Sequence, residues 1–154
     1  MEKSSMNDSL GALLSKANWH IRTHLYNQLR KNGFNITPEQ WSVIMIVMNN
    51  PGISQTGIAQ IAFKDKTVIT RILDVLEKNN FVSRENDARD RRVYRIHLTE
   101  HAQNMLEKLF PIAIQVNQDS SQDISNDELI LLKNNLKTIC KTLKKFIDNE
   151  NKTN

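Results

Sequence analysis

The chain has one cysteine, four glycines and three prolines in 154 residues, and each scarcity excludes something. A lone Cys140 cannot form a disulfide within the chain, so the fold is expected to rest on packing alone, in a reducing compartment such as the cytoplasm. Few glycines and prolines leave little turn chemistry for an all-β fold and favour helices. No stretch approaches the ~20 apolar residues that span a bilayer, and no membrane partner is expected. The stretch Met1–Ser9 is polar, carries both charge signs and lacks the apolar core of a signal peptide. There is no phosphate-binding glycine loop, no nucleophile motif and no strong metal cluster, so an enzyme, a cofactor and a bound metal are not expected.

What is present is enough residues for one hydrophobic core. The net charge of +4 hints only weakly at a polyanionic partner. Leu10, Leu14, Ala17, Ile21 and Leu25 recur at helical spacing and predict a helix over 10–30 with that face buried, stopped at Gly33. Thr37 and Pro38 open a second helix, as N-cap and first helical residue. It runs through the apolar stretch Trp41–Met48 to the turn Asn49-Asn50-Pro51-Gly52. Ser54 is an N-cap for a short helix over 55–62, and Asp65 for another over 66–78. Only Phe63 to Asp65 separate the two, which is the helix-turn-helix format.

In that last helix Val68, Ile69, Ile72, Leu73 and Leu76 form the expected buried stripe. Thr67, Thr70, Arg71 and Asp74 fall on the other side, close to Lys66, a polar face that suits a major groove. Asn79-Asn80 ends the helix, because asparagine tolerates the left-handed conformation of a C-terminal cap. Two strand-like runs follow, 81–85 and 93–98, the second alternating Val93, Arg95, His97 against Tyr94, Ile96, Leu98. Between them lies Asp87-Ala88-Arg89-Asp90-Arg91-Arg92. From Arg84 to Arg95 there are five arginines against three acids. Such a run is either solvated surface or, following a helix-turn-helix, a wing whose arginine enters a minor groove. Asp87 or Asp90 can pair with a neighbouring arginine and orient it.

Thr99 caps a further helix with Glu100 in its first turn, expected to bend at Pro111. Ser125 and Glu128 have capping-box spacing at the head of the last helix. Leu129, Leu132, Leu136, Ile139, Leu143 and Phe146 give it a heptad-like stripe that one small domain need not bury alone. The tail Asn149–Asn154 is expected to fray. The fold class is therefore mainly α with a small β-hairpin wing: a winged helix-turn-helix with a helical dimerisation region.

The runs Ser54-Gln55-Thr56-Gly57-Ile58-Ala59, Asp65 to Lys78, Phe81-Val82-Ser83-Arg84, Asp87 to Arg92 and His97-Leu98-Thr99-Glu100 together resemble the MarR family of transcriptional regulators. The family usually has glycine where Asn80 and Ala102 stand, and a larger residue where Gly57 stands. The resemblance implies helical dimerisation segments over 1–36 and 99–154 and a DNA-binding domain over 37–98. It implies a homodimer that reads a pseudo-palindrome in double-stranded DNA and acts as a repressor. Lys66, Thr67, Thr70 and Arg71 would meet the major groove. Arg89 would enter the minor groove, oriented by Asp87, with Arg91 and Arg92 on phosphates and Gln55 and Thr56 as further phosphate contacts. It also implies a small aromatic effector in a cleft, for which Trp19, His20, His24 and Trp41 are candidates. Trp41 reads better as a core residue of the second helix, and His20 and His24 at i, i+4 lack a further metal ligand. Cys140 is expected to be an inert, half-buried thiol. The rival reading is a dimeric winged-helix protein-interaction module that does not bind DNA.

Overall fold

The computed structural model describes residues 8–153, and the polar N-terminal stretch lies outside them up to Asn7. Six helices and three strands follow in the order α1 (Leu10–Lys31), α2 (Pro38–Asn49), β1 (Ile53–Ser54), α3 (Gln55–Ala62), α4 (Lys66–Lys78), β2 (Val82–Asn86), β3 (Tyr94–Leu98), α5 (Glu100–Asp119) and α6 (Asn126–Thr153). The chain divides into two units, 1–116 and 117–154.

Local chemistry accounts for the boundaries. Ser9 caps α1, Thr37 and Gln40 form a reciprocal capping box on α2, and Ser54 accepts the Gly57 amide at the head of α3. Asp65 stands at the N-cap of α4 in extended conformation without a side-chain cap bond. Three helices end in the same paired pattern. At α1 the Gly33 amide reaches the Arg30 carbonyl and the Phe34 amide the Leu29 carbonyl. At α4 the Asn80 amide reaches Glu77 and the Phe81 amide Leu76. At α3 the Phe63 amide reaches Gln60 and the Lys64 amide Ala59. Each needs one residue at positive φ: Gly33 at +83°, Asn80 at +58° and Phe63 at +52°. Asn80 thus does what the sequence suggests. Phe63 is the unexpected member, since a bulky residue there costs about 1–2 kcal/mol that glycine would not.

The core of the first unit joins Leu25 and Leu29 of α1, Val43, Ile44 and Val47 of α2, Ile58 of α3, Ile69, Leu73 and Leu76 of α4, Ile96 of β3, and Leu106 and Leu109 of α5. Each fully buried aliphatic side chain contributes about 1.5–3 kcal/mol. The sheet is antiparallel in the order β1-β3-β2, with Val82 opposite Leu98 and Asn86 opposite Tyr94. Strand β1, only two residues long, pairs Ile53 with Ile96 and is invisible to a periodicity argument. α5 continues through Pro111.

Several expectations are corrected. The first half of α1 is not buried: Leu10 is 53% exposed and Ile21 40%, and Leu14 and Ala17 are exposed too. Only the C-terminal end of that stripe, at Leu25 and Leu29, meets the core. Val68 is exposed rather than buried, because the inward stripe of α4 narrows to Ile69, Leu73 and Leu76. Cys140 is exposed, not half-buried, since it falls one residue off the apolar stripe of α6. As for the tail, α6 is helical to Thr153, and Asn154 lies outside the described residues.

Gly57 also has a reason that helix propensity does not supply. A Cβ there would stand 2.9 Å from Ile53 Cγ1, so β1 and α3 approach too closely for a side chain. Gly57→Ala is therefore expected to leave stability unchanged or lower it, instead of adding the ~1 kcal/mol that propensity alone predicts. Urea unfolding decides this, and a full gain would show that Ile53 moves aside freely.

Candidate nucleic-acid interface

α4 presents two faces. Ile69, Leu73 and Leu76 point into the core, and this fixes the outward direction of the residues between them. Lys66, Thr67 and Arg71 are exposed, and the first turn holds no acid. Lys66, Arg71, Arg89 and Arg91 make no ion pair among the described residues. Thr70 is half-buried and occupied: it accepts a short hydrogen bond from Gln55 Nε2 and donates to the Lys66 carbonyl at 2.9 Å. The structure therefore brings Gln55 and Thr70 together as a latch between α3 and α4. Thr56 remains exposed at the head of α3.

Arg84 is not one of the free arginines. Its side chain is only 16% exposed, and the guanidinium donates to Asp74 at 2.7 Å and to Glu77 at 2.6 Å. This two-carboxylate fork ties the outward face of α4 to β2. Sequence reading placed Asp74 on the polar face but missed its partner, which lies ten positions away on another element.

The wing turn is built on Asp87. Its Oδ1 accepts the Arg89 amide at 2.8 Å and the Asp90 amide at 3.0 Å. Its Oδ2 accepts Nε of Arg95 at 2.5 Å. The Arg89 amide above all, then Arg95 and the Asp90 amide, hold the Asp87 carboxyl below the usual aspartate range. Asp87 thus holds the backbone of Arg89, while the side chain it fixes is that of Arg95. Arg95 also donates to the Gly52 carbonyl at 3.4 Å, joining the wing to the turn after α2. Asp90 takes Arg92 the same way, through its Nε at 3.1 Å and its amide at 3.0 Å; Arg92 stays 91% exposed.

The four residues considered for an effector cleft are spread out. Trp19 lines a shallow groove with Arg22, Tyr26 and Glu39, and His20 meets its ring edge-on at 4.9 Å. Arg22 and Glu39 of that lining form an ion pair of 2.7 Å between α1 and α2. Trp41 packs instead against Phe110 of α5, half-buried at the edge of the core. His24 is half-buried on α1. No group of three or more His, Cys, Asp or Glu side chains that could hold a metal occurs among the described residues.

Residues 36–94 match the MarR family. The regulator SarZ of Staphylococcus haemolyticus is 35% identical over 104 residues, covering 68% of this chain and 69% of its own. A Thauera aromatica protein named for regulation of the hcr operon is 28% identical over 93 residues, 60% of this chain. The match spans only 56% of that longer protein. A MarR transcriptional regulator from Methanosarcina mazei superimposes with a TM-score of 0.81 at 20% identity, over 89% of this chain and 97% of that one. A MarR variant from Escherichia coli, solved with operator DNA, gives 0.77 at 23% identity, over 84% and 92%. These similarities establish the winged-helix fold.

The geometry of the wing sets a pH response. A depressed Asp87 pKa means that the turn's order is complete above the ordinary aspartate range, near ~4, and is lost as pH falls through the lower folded value. The amide proton shifts of Arg89 and Asp90 are expected to titrate together in NMR spectra, with a midpoint below that of a free aspartate. A midpoint at or above the ordinary value would show that Asp87 does not hold the turn.

Proposed function

Because the chain belongs to the MarR family of transcriptional regulators, we propose that it is a DNA-binding repressor. In this reading it grips a pseudo-palindromic operator as a homodimer and lets go when a small aromatic effector binds. The observation that carries DNA binding is the open polar face of α4, where Lys66, Thr67 and Arg71 stand exposed with no acid in the first turn. The operator-bound relative supports the same reading.

The residues divide the work. Lys66, Thr67 and Arg71 meet the major groove, with Thr70 held behind them by Gln55. Thr56, at the start of α3, takes a phosphate. Arg89 enters the minor groove from a turn that Asp87 pre-forms, and Arg91 and Arg92 take flanking phosphates. Lost side-chain freedom is a cost of binding, and a turn already held by hydrogen bonds incurs less of it.

The apolar faces support the dimer. On α1, Leu10, Leu13, Trp19 and Ile21 are each at least 40% exposed. α6 buries none of its described residues, and Leu132, Leu143 and Phe146 are 44, 54 and 62% exposed. Apolar surface on this scale is covered in a functional state. A dimer would set two copies of α4 about 34 Å apart, one turn of DNA. The effector's place in this reading is the groove beside Trp19 and His20, and it acts by binding the released state more tightly than the DNA-bound one. No helix among the described residues is long and apolar enough to cross a membrane, and a cytoplasmic location belongs to the proposal.

Binding to duplex DNA should weaken steeply with salt. Arg71→Ala is expected to cost about 1–3 kcal/mol on a selected operator and less on random duplex; equal loss on both rejects base reading by Arg71. Arg89→Ala is expected to weaken operator binding at moderate salt, and unchanged affinity would remove it from the interface.

The dimer is tested by sedimentation. A double variant Leu132→Asp, Leu143→Asp is expected to be monomeric with an intact helical circular-dichroism signal. A wild-type chain that sediments as a monomer at micromolar concentration would reject the dimer.

A further inference from the structure

Two side chains at the head of α4 are out of place in a soluble helix-turn-helix. Phe63 is 95% exposed, in a left-handed conformation that disfavours every residue with a side chain. Val68, in the first turn of α4, is 39% exposed. The two line one open groove together with Gln60 and Lys64. Val68 also stands three positions before Arg71, so the two are neighbours on the helix surface. The apolar patch is therefore continuous with the face proposed to enter the major groove.

We propose that Phe63 and Val68 form an apolar reader of thymine, packing against C5-methyl groups in the major groove beside the bases that Arg71 contacts. This inference rests on the DNA-binding reading above. Three observations favour DNA over a protein as the occupant. Along the chain Lys64, Lys66 and Arg71 flank the patch with one acid, Asp65, between them, a local balance that suits a polyanion. Two side chains offer far less area than the ~800 Å² per partner of a stable protein interface. The major groove also displays an apolar group, the thymine methyl, which such a pair can cover. Glycine at position 63 would remove both the backbone strain and the exposed ring, so the phenylalanine costs stability without any return inside the chain.

The test uses an operator duplex selected from random DNA with the full wild-type chain. Its thymines are replaced one at a time by uracil, which lacks only the methyl group. Wild-type affinity is expected to fall about three- to fivefold at one or two positions per half-site, the worth of one buried methyl. Phe63→Gly is expected to unfold at a temperature no lower than wild type, to bind the unmodified operator several-fold more weakly, and to be indifferent to uracil at those positions. Val68→Ala should show a smaller loss at the same positions. Unchanged operator affinity of Phe63→Gly, beside a clear loss in Arg71→Ala, overturns the thymine reader and leaves the DNA-binding reading standing. Equal sensitivity of Phe63→Gly to every missing methyl overturns it as well. A change in sedimentation of Phe63→Gly at unchanged operator affinity would make the patch a contact between copies of the chain instead. Failure of the wild type to bind any duplex overturns the DNA-binding reading, and the thymine reader with it.

Discussion

The inward stripe of α4 is the constraint on which the rest depends. Ile69, Leu73 and Leu76 are locked into the core where α4 packs against α2, α3 and β2, and a helix held on one side has no freedom to rotate. Its opposite face is then presented at a fixed angle without any dedicated support. The apolar residues decide where Thr67 and Arg71 point, although none of them touches a ligand. The Gln55–Thr70 latch and the Arg84 fork refine that orientation from either end of the helix.

The arginines near the wing look alike in sequence and have different environments. Arg84 is spent on Asp74 and Glu77, and Arg95 on Asp87 and the Gly52 carbonyl. Arg92 is shared with Asp90. Arg89 and Arg91 remain without an ion pair among the described residues. The acids do not neutralise the loop so much as arrange it: two aspartates accept backbone amides and so give a seven-residue connection a defined shape. In the proposed complex Arg84 and Arg95 serve as the frame, and Arg89, Arg91 and the largely exposed Arg92 as the contacts.

The apolar surface follows a similar division. Along α1 the periodic leucines read as a core face, yet only Leu25 and Leu29 find a core to enter. Periodicity reports that a face is to be covered and says nothing of what covers it. The same holds for α6, whose stripe stays open along its described length. Gly57 shows the reverse case, a residue that looks like a helix fault and in fact leaves room for the Ile53 side chain.

The sequence by itself determined the order of helices, nearly all their boundaries, the left-handed cap at Asn80 and the basic turn of the wing. Those features are written in neighbouring residues: a cap needs three positions, an amphipathic face needs two turns, a hairpin tip needs its own Asp and Arg. Only the tertiary structure decided that Arg84 grips Asp74, that Asp87 takes Arg95, that a two-residue strand completes the sheet, and that Val68 and Phe63 face outward. Each of these depends on which segments become neighbours and on how wide the buried stripe turns out to be. Spacing along the chain carries no record of such distances, because they are set by packing among elements that the sequence separates.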